Sequence, residues 1–69
     1  MSKELKYLIF AMEEYKKAYN LSGKEVYEVF RKYDFFSYII ELYELFHIQG
    51  QQYLFEELAA YQKRAVLAN

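Results

Sequence analysis

His47 is the single imidazole of the chain, and any acid–base chemistry would start from it, because histidine titrates near neutral pH. A catalytic histidine also needs a nucleophile or an orienting acid within hydrogen-bond reach. Nothing adjacent in the sequence guarantees one. Its position at the end of a helical stretch offers another account, since an imidazole there can meet free carbonyls and the negative end of the dipole. The carboxylates do not assemble better. Glu13-Glu14 and Glu56-Glu57 are neighbours, and adjacent helical residues diverge by about 100°, which is wrong for a shared ion. Glu41 and Glu44 face one way at i and i+3, yet without histidine at matching spacing they read as a solvated edge. There is no cysteine, so a zinc ion would depend on His47 and carboxylates alone. Ser22-Gly23-Lys24 touches the phosphate-loop pattern but lacks its first glycine and its hydroxyl. No catalytic residue, metal set or cofactor is expected.

The elements that position these groups must come from a short chain. With 69 residues, one domain spanning 1–69 is expected, near the lower size limit for independent folding. The absence of cysteine leaves dense packing or a partner as routes to stability. Hydrophobic residues make up 55% and aromatics 22%, which excludes disorder. That is more ring surface than one small core easily hides, so some rings, tyrosines above all, are expected at an interface. Charges interrupt every window long enough to span a membrane. MSKELKYLIF lacks the layout of a signal peptide, and a cytoplasmic location is the expectation.

Helix boundaries are read from caps, because proline is absent and glycine occurs only at Gly23 and Gly50. Leu5, Leu8, Ile9, Met12 and Tyr15 follow one helix face, which predicts a helix from Lys3 to Tyr19 with Asn20 as a left-handed exit. Ser22 and Glu25 form a capping box, and Leu21 and Val26 fall at hydrophobic-staple positions. The second helix then presents Val26, Val29, Phe30 and Tyr33 inward. Asp34 is the next expected N-cap, with Tyr33 and Tyr38 at staple spacing. A third helix, Phe35 to about His47, is apolar on most of its circumference and so expected to be central. Ile48-Gln49-Gly50 supplies a loop. The last helix turns Leu54, Phe55, Leu58, Tyr61 and Ala65 inward. The fold class is all-α: a compact small bundle of four helices, or three plus a short one.

The corner LSGKEVYEVFRKYDFFSYII has the outline of a helix-turn-helix. A reading helix carries polar, preferably basic residues at its start, whereas this one begins Phe35, Phe36, Ser37, Tyr38. Between Lys32 and Lys63 the charged residues are Asp34, Glu41, Glu44, Glu56 and Glu57, and such a segment repels phosphate. Nucleic acid is not the expected partner, and neither is a membrane. Residues 1–32 carry seven lysines and arginines against five glutamates. The charge segregation suggests an acidic, tyrosine-bearing surface that docks on a basic protein.

The stretch IFAMEEYKKAYNLSGKEVYEVFRKYDFFSYIIELYELFHIQGQQYLFEEL, Ile9 to Leu58, resembles a small bacterial family, domain of unknown function 3791. The likeness is carried by SGKEVYE at the second helix, the YDFFSYI corner, and His47 followed by Gly50 and Tyr53. The resemblance brings no catalytic assignment. Family members often look like neighbours of a second small protein resembling an ADP-ribosyltransferase-type toxin, which implies an antitoxin, immunity or accessory role.

The resulting expectation is a non-enzymatic protein-binding module whose contact residues are Tyr38, Glu41, Glu44, His47, Gln51 and Tyr53. The alternative is a self-associating structural or regulatory domain, a homodimer pairing its extra aromatics across a two-fold axis. A third option is a small enzyme or toxin centred on His47.

Overall fold

Serine hydroxyls start the first two helices. The computed structural model describes residues 1–68, and in it Ser2 Oγ accepts the Leu5 amide at 3.1 Å to open α1 (Lys3–Tyr19). Asn20 closes that helix in the left-handed conformation, φ 53°, as an unbranched polar residue tolerates. At α2 (Gly23–Lys32) the capping box is reciprocal. The Glu25 amide donates to Ser22 Oγ at 3.1 Å and the Ser22 amide donates to Glu25 Oε1 at 2.8 Å. The Ser22 amide's bond to the carboxylate, and then the Ser22 side chain, favour ionised Glu25 and hold its carboxyl below the usual range.

The next corner differs from the expectation for Asp34. It adopts φ 54° and its side chain caps nothing. An N-cap needs extended backbone for its side chain to reach the next turn, but here only Tyr33 and Asp34 separate α2 from α3 (Phe35–Glu41). So sharp a reversal uses a left-handed residue instead. The staple dissolves as well: Tyr33 stacks on Phe35 at 5.8 Å, while Tyr38 packs on Phe46 and Tyr61. Phe30 and Phe35 meet edge to face at 5.2 Å, and Phe35 is fully buried. The corner is a core junction, with the start of its second helix turned inward.

The single apolar helix expected over Phe35–His47 is two helices. Leu42, at φ −105° and ψ 22°, separates α3 from α4 (Tyr43–Gln49). Neither glycine nor proline marks this break. Phe35, Ile39 and Phe46 would share one face of a straight helix as well; with the break, α3 packs on α1 and α2 while α4 packs on α5 and α1. The helix pair is therefore central on one side only, and Ile40, Leu45 and Ile48 stay substantially exposed. Ile48 and Gln49 remain helical, so Gly50 alone, at φ 95°, connects to α5 (Gln51–Ala68). Only glycine takes that conformation without strain.

Each helix contributes to one core: Leu8, Ala11 and Tyr15; Val26 and Phe30; Phe35 and Ile39; Phe46; Leu54 and Leu58. In α1 the buried stripe is rotated from the expected one. Leu8 and Tyr15 are inside and Met12 partly so, but Leu5 and Ile9 are exposed, while Tyr7 packs against the core. Docking of α4 against the Tyr7 side produces that rotation. Among the described residues no polar or charged side chain is buried, and no strand is present. A radius of gyration of 11.5 Å compares with about 11 Å for a compact chain of this length. No helix is long and apolar enough to cross a membrane.

Phe30→Ala should cost about 3–5 kcal/mol, enough to unfold most of so small a domain, as thermal and urea melts followed by circular dichroism would reveal. Ser22→Ala should cost about 1 kcal/mol. Because Glu25 has a lowered folded pKa, its contribution is complete above its ordinary value of 4.5 and fades as pH falls through the folded value. Glu25→Gln should flatten that part of the acid limb in stability measured against pH.

Candidate functional site

Lys3, Lys6, Tyr7 and Phe10 stand at i, i+3, i+4 and i+7 along α1, so one flank of the helix carries two ammoniums and two rings. Opposite them, Tyr43 and His47 at i and i+4 stack their rings in parallel, 4.8 Å apart and 4° from coplanar. The Tyr7 ring meets Tyr43 edge-on at 5.6 Å and lies 5.7 Å from Phe10. Burial, and then the neighbouring Tyr43 hydroxyl, push the Tyr7 phenol up from its ordinary value. Together these residues line an open groove of about 460 Å³, floored by rings and rimmed by nitrogen. His47 Nε2 also lies 3.7 Å from a carboxylate oxygen of Glu44, which is itself 81% exposed. Such an exposed pair is worth little, and His47 sits in the last turn of α4. Its partners are thus two residues of its own helix and an aromatic floor. The side chains lining the groove include no serine, threonine or cysteine.

The residues expected to form one contact surface fall into separate groups. His47 lines the groove, and Glu44, exposed beside it, does not. Tyr38 stacks on Tyr61 of α5, centroids 4.1 Å apart and planes 18° apart, and touches Phe46 at 5.7 Å. Tyr53 approaches Phe46 at 6.0 Å. The neighbouring Glu57 carboxylate, ahead of desolvation, raises the pKa of the Tyr53 phenol. Tyr38 and Tyr53 therefore share a ring cluster centred on Phe46. Glu41 and Gln51 are exposed, and neither makes a side-chain contact that joins these groups. Among the described residues, no three metal-ligating side chains come together.

The expectation of an unbroken acidic flank is corrected. Lys3 and Lys6 of α1 stand across the groove from His47, and the Arg64 guanidinium lies over the Tyr61 ring at 5.9 Å. Charges segregated along the chain are thus mixed in space, because α1 and the end of α5 pack beside the acidic segment. The groove residues of α1 were missed although the sequence carries their signal. The helical spacing of Lys3, Lys6, Tyr7 and Phe10 matches that of Leu5, Leu8, Ile9 and Met12, and periodicity alone does not choose between two such stripes.

The geometry defines a small all-helical domain with an aromatic groove. Its residues 6–64 match a family model described as Protein of unknown function (DUF3791), and the chain belongs to that family. The match extends at both ends beyond the stretch that carried the resemblance. No curated protein and no solved structure matches the chain.

The Tyr38–Tyr61 stack should show a coupling of about 0.5–1.5 kcal/mol in a double-mutant cycle of Tyr38→Ala and Tyr61→Ala read by urea unfolding. Strict additivity would mean that the two rings stabilise the fold independently.

Proposed function

We infer that the protein is a cytoplasmic, non-enzymatic protein-binding module. The observation that carries this is the set of large apolar side chains left outside a complete core: Leu5, Ile9 and Phe10 on α1, and Ile40, Leu45 and Ile48 on α3 and α4. Ile48 is 71% exposed, and apolar side chains left in water are the material from which interaction surfaces are built. Family resemblance supports a more particular role, that of an antitoxin, immunity or accessory partner to a small protein resembling an ADP-ribosyltransferase-type toxin. A stoichiometric binder needs no active site, and a protein this small can still present groove, rings and aliphatic patches. His47 would contribute from the groove, Glu44 from the exposed surface beside it, and Tyr38 and Tyr53 from the Phe46 cluster. Glu41 and Gln51 stand exposed for contact at the edge.

The same apolar set favours one rival, self-association, since a second copy would also cover it. Sedimentation of the isolated chain separates the two: a concentration-independent monomer removes the rival.

Co-expression with the product of the adjacent gene should yield a complex that survives purification at low salt and relieves any growth inhibition by that product. Ile48→Asp should weaken the complex about tenfold or more with an unchanged helical spectrum. Failure of the intact pair to co-purify would remove the proposal.

A further inference from the structure

The groove between the start of α1 and the end of α4 has a chemistry that the binding-module reading does not specify. Lys3 and Lys6 lie on its rim, and among the described residues neither ammonium is paired with a carboxylate. They stand in the first turns of α1, where the helix dipole adds to their positive potential. The floor is apolar: Tyr7, Phe10 and Tyr43, with Phe10 itself 44% exposed. On the far side His47 can add a third donor, and no carboxylate lines the groove. Glu44, the nearest acid to that histidine, is drawn to it at 3.7 Å.

We propose that this groove docks an acidic segment of a protein partner, whose carboxylates bind Lys3 and Lys6 while an apolar or aromatic side chain seats on Tyr7, Phe10 and Tyr43. This rests on reading the protein as a binding module and names the partner chemistry that the module selects. The groove is open to solvent, whereas small-molecule sites enclose most of their ligand, so it suits a surface segment. A basic segment would meet two unpaired ammoniums. A polyanion extending past His47 would meet the exposed Glu44 carboxylate beside it, and a short acidic stretch avoids that repulsion. Unpaired charge at the rim speeds encounter, and the rings hold what arrives.

The test uses the full chain and two dye-labelled peptides: one of glutamate, leucine and phenylalanine, and its counterpart with lysine for glutamate. Fluorescence anisotropy should detect binding of the acidic peptide, weakened by salt, and none of the lysine peptide. Lys3→Glu combined with Lys6→Glu should weaken the acidic peptide about tenfold or more. Phe10→Ser should weaken it with little change in salt dependence. Both lysines are exposed, and an unchanged circular dichroism spectrum would verify folding. Amide shifts on titration should centre on residues 3–10 and 43–48. Shifts centred elsewhere, equal binding by the charge-reversed variant, or an oligothymidylate bound as tightly as the acidic peptide would overturn the proposal. The two readings fail separately. A partner captured equally by the intact chain and by the charge-reversed variant sinks the groove and leaves the module standing. Acidic-peptide binding at the groove, with no partner captured by the intact chain, supports the groove and removes the module.

Discussion

Tyr15 meets Phe30, Phe35 and Phe55 at 5.4, 6.2 and 6.2 Å, each close to edge-on, and Phe30 meets Phe35 at 5.2 Å. This junction ties α1, α2, α3 and α5 to one another, in a chain that has no cysteine to cross-link. Among the described residues no buried charge contributes either, so stability must come from apolar area and ring geometry. Edge-to-face pairs add about 0.5–1.5 kcal/mol each beyond the area they bury. Rings are also rigid, so they set the spacing of the helices that carry them. The Tyr15 hydroxyl is drawn into this environment, and burial raises its pKa.

Once that junction fills the centre, the remaining aromatics have to find partners nearer the surface. Tyr38 lies on Tyr61, Tyr43 on His47, and Tyr7 between Tyr43 and Phe10. These outer stacks are half in water and hold their rings in fixed orientations. A surface already ordered in this way loses little side-chain entropy when something settles on it. The aliphatic residues left outside, Leu5, Ile9 and Ile48 among them, add area without direction. The surface lysines beside the rings then favour one sign of visitor over the other. A small helical domain can in this way combine a tight interior with a selective exterior.

The limits of α1 and the capping box at α2 were legible because each depends on contacts within a few residues, and the inward residues of α5 because their helical spacing leaves one apolar face. Ser22 and Glu25 satisfy one another's amides whatever else the chain does, and Asn20 takes its left-handed turn next to its own helix. The break at Leu42 was not legible. Local propensity there favours continuing the helix, and the break belongs to tertiary packing, in which α3 meets α1 and α2 while α4 meets α5 and α1. Asp34 failed for a related reason: its side chain suits an N-cap, but the two-residue connection demands a reversal that the cap geometry cannot supply. Of the proposed contact residues, His47 went to the groove, Tyr38 and Tyr53 to the Phe46 cluster, and Glu41, Glu44 and Gln51 stayed exposed outside both, because a broken pair of helices does not keep one continuous edge.

The sequence by itself determined an all-helical chain, the Asn20 exit of α1 and the capping box of α2, most of its core and its membership of one family, since periodicity and short-range hydrogen bonds are written residue by residue. Tertiary packing alone decided which flank of α1 is covered, and so set Lys3 and Lys6 across from His47. Charges distant along a chain become neighbours only when the helices carrying them dock, and that docking is chosen by the fit of buried rings.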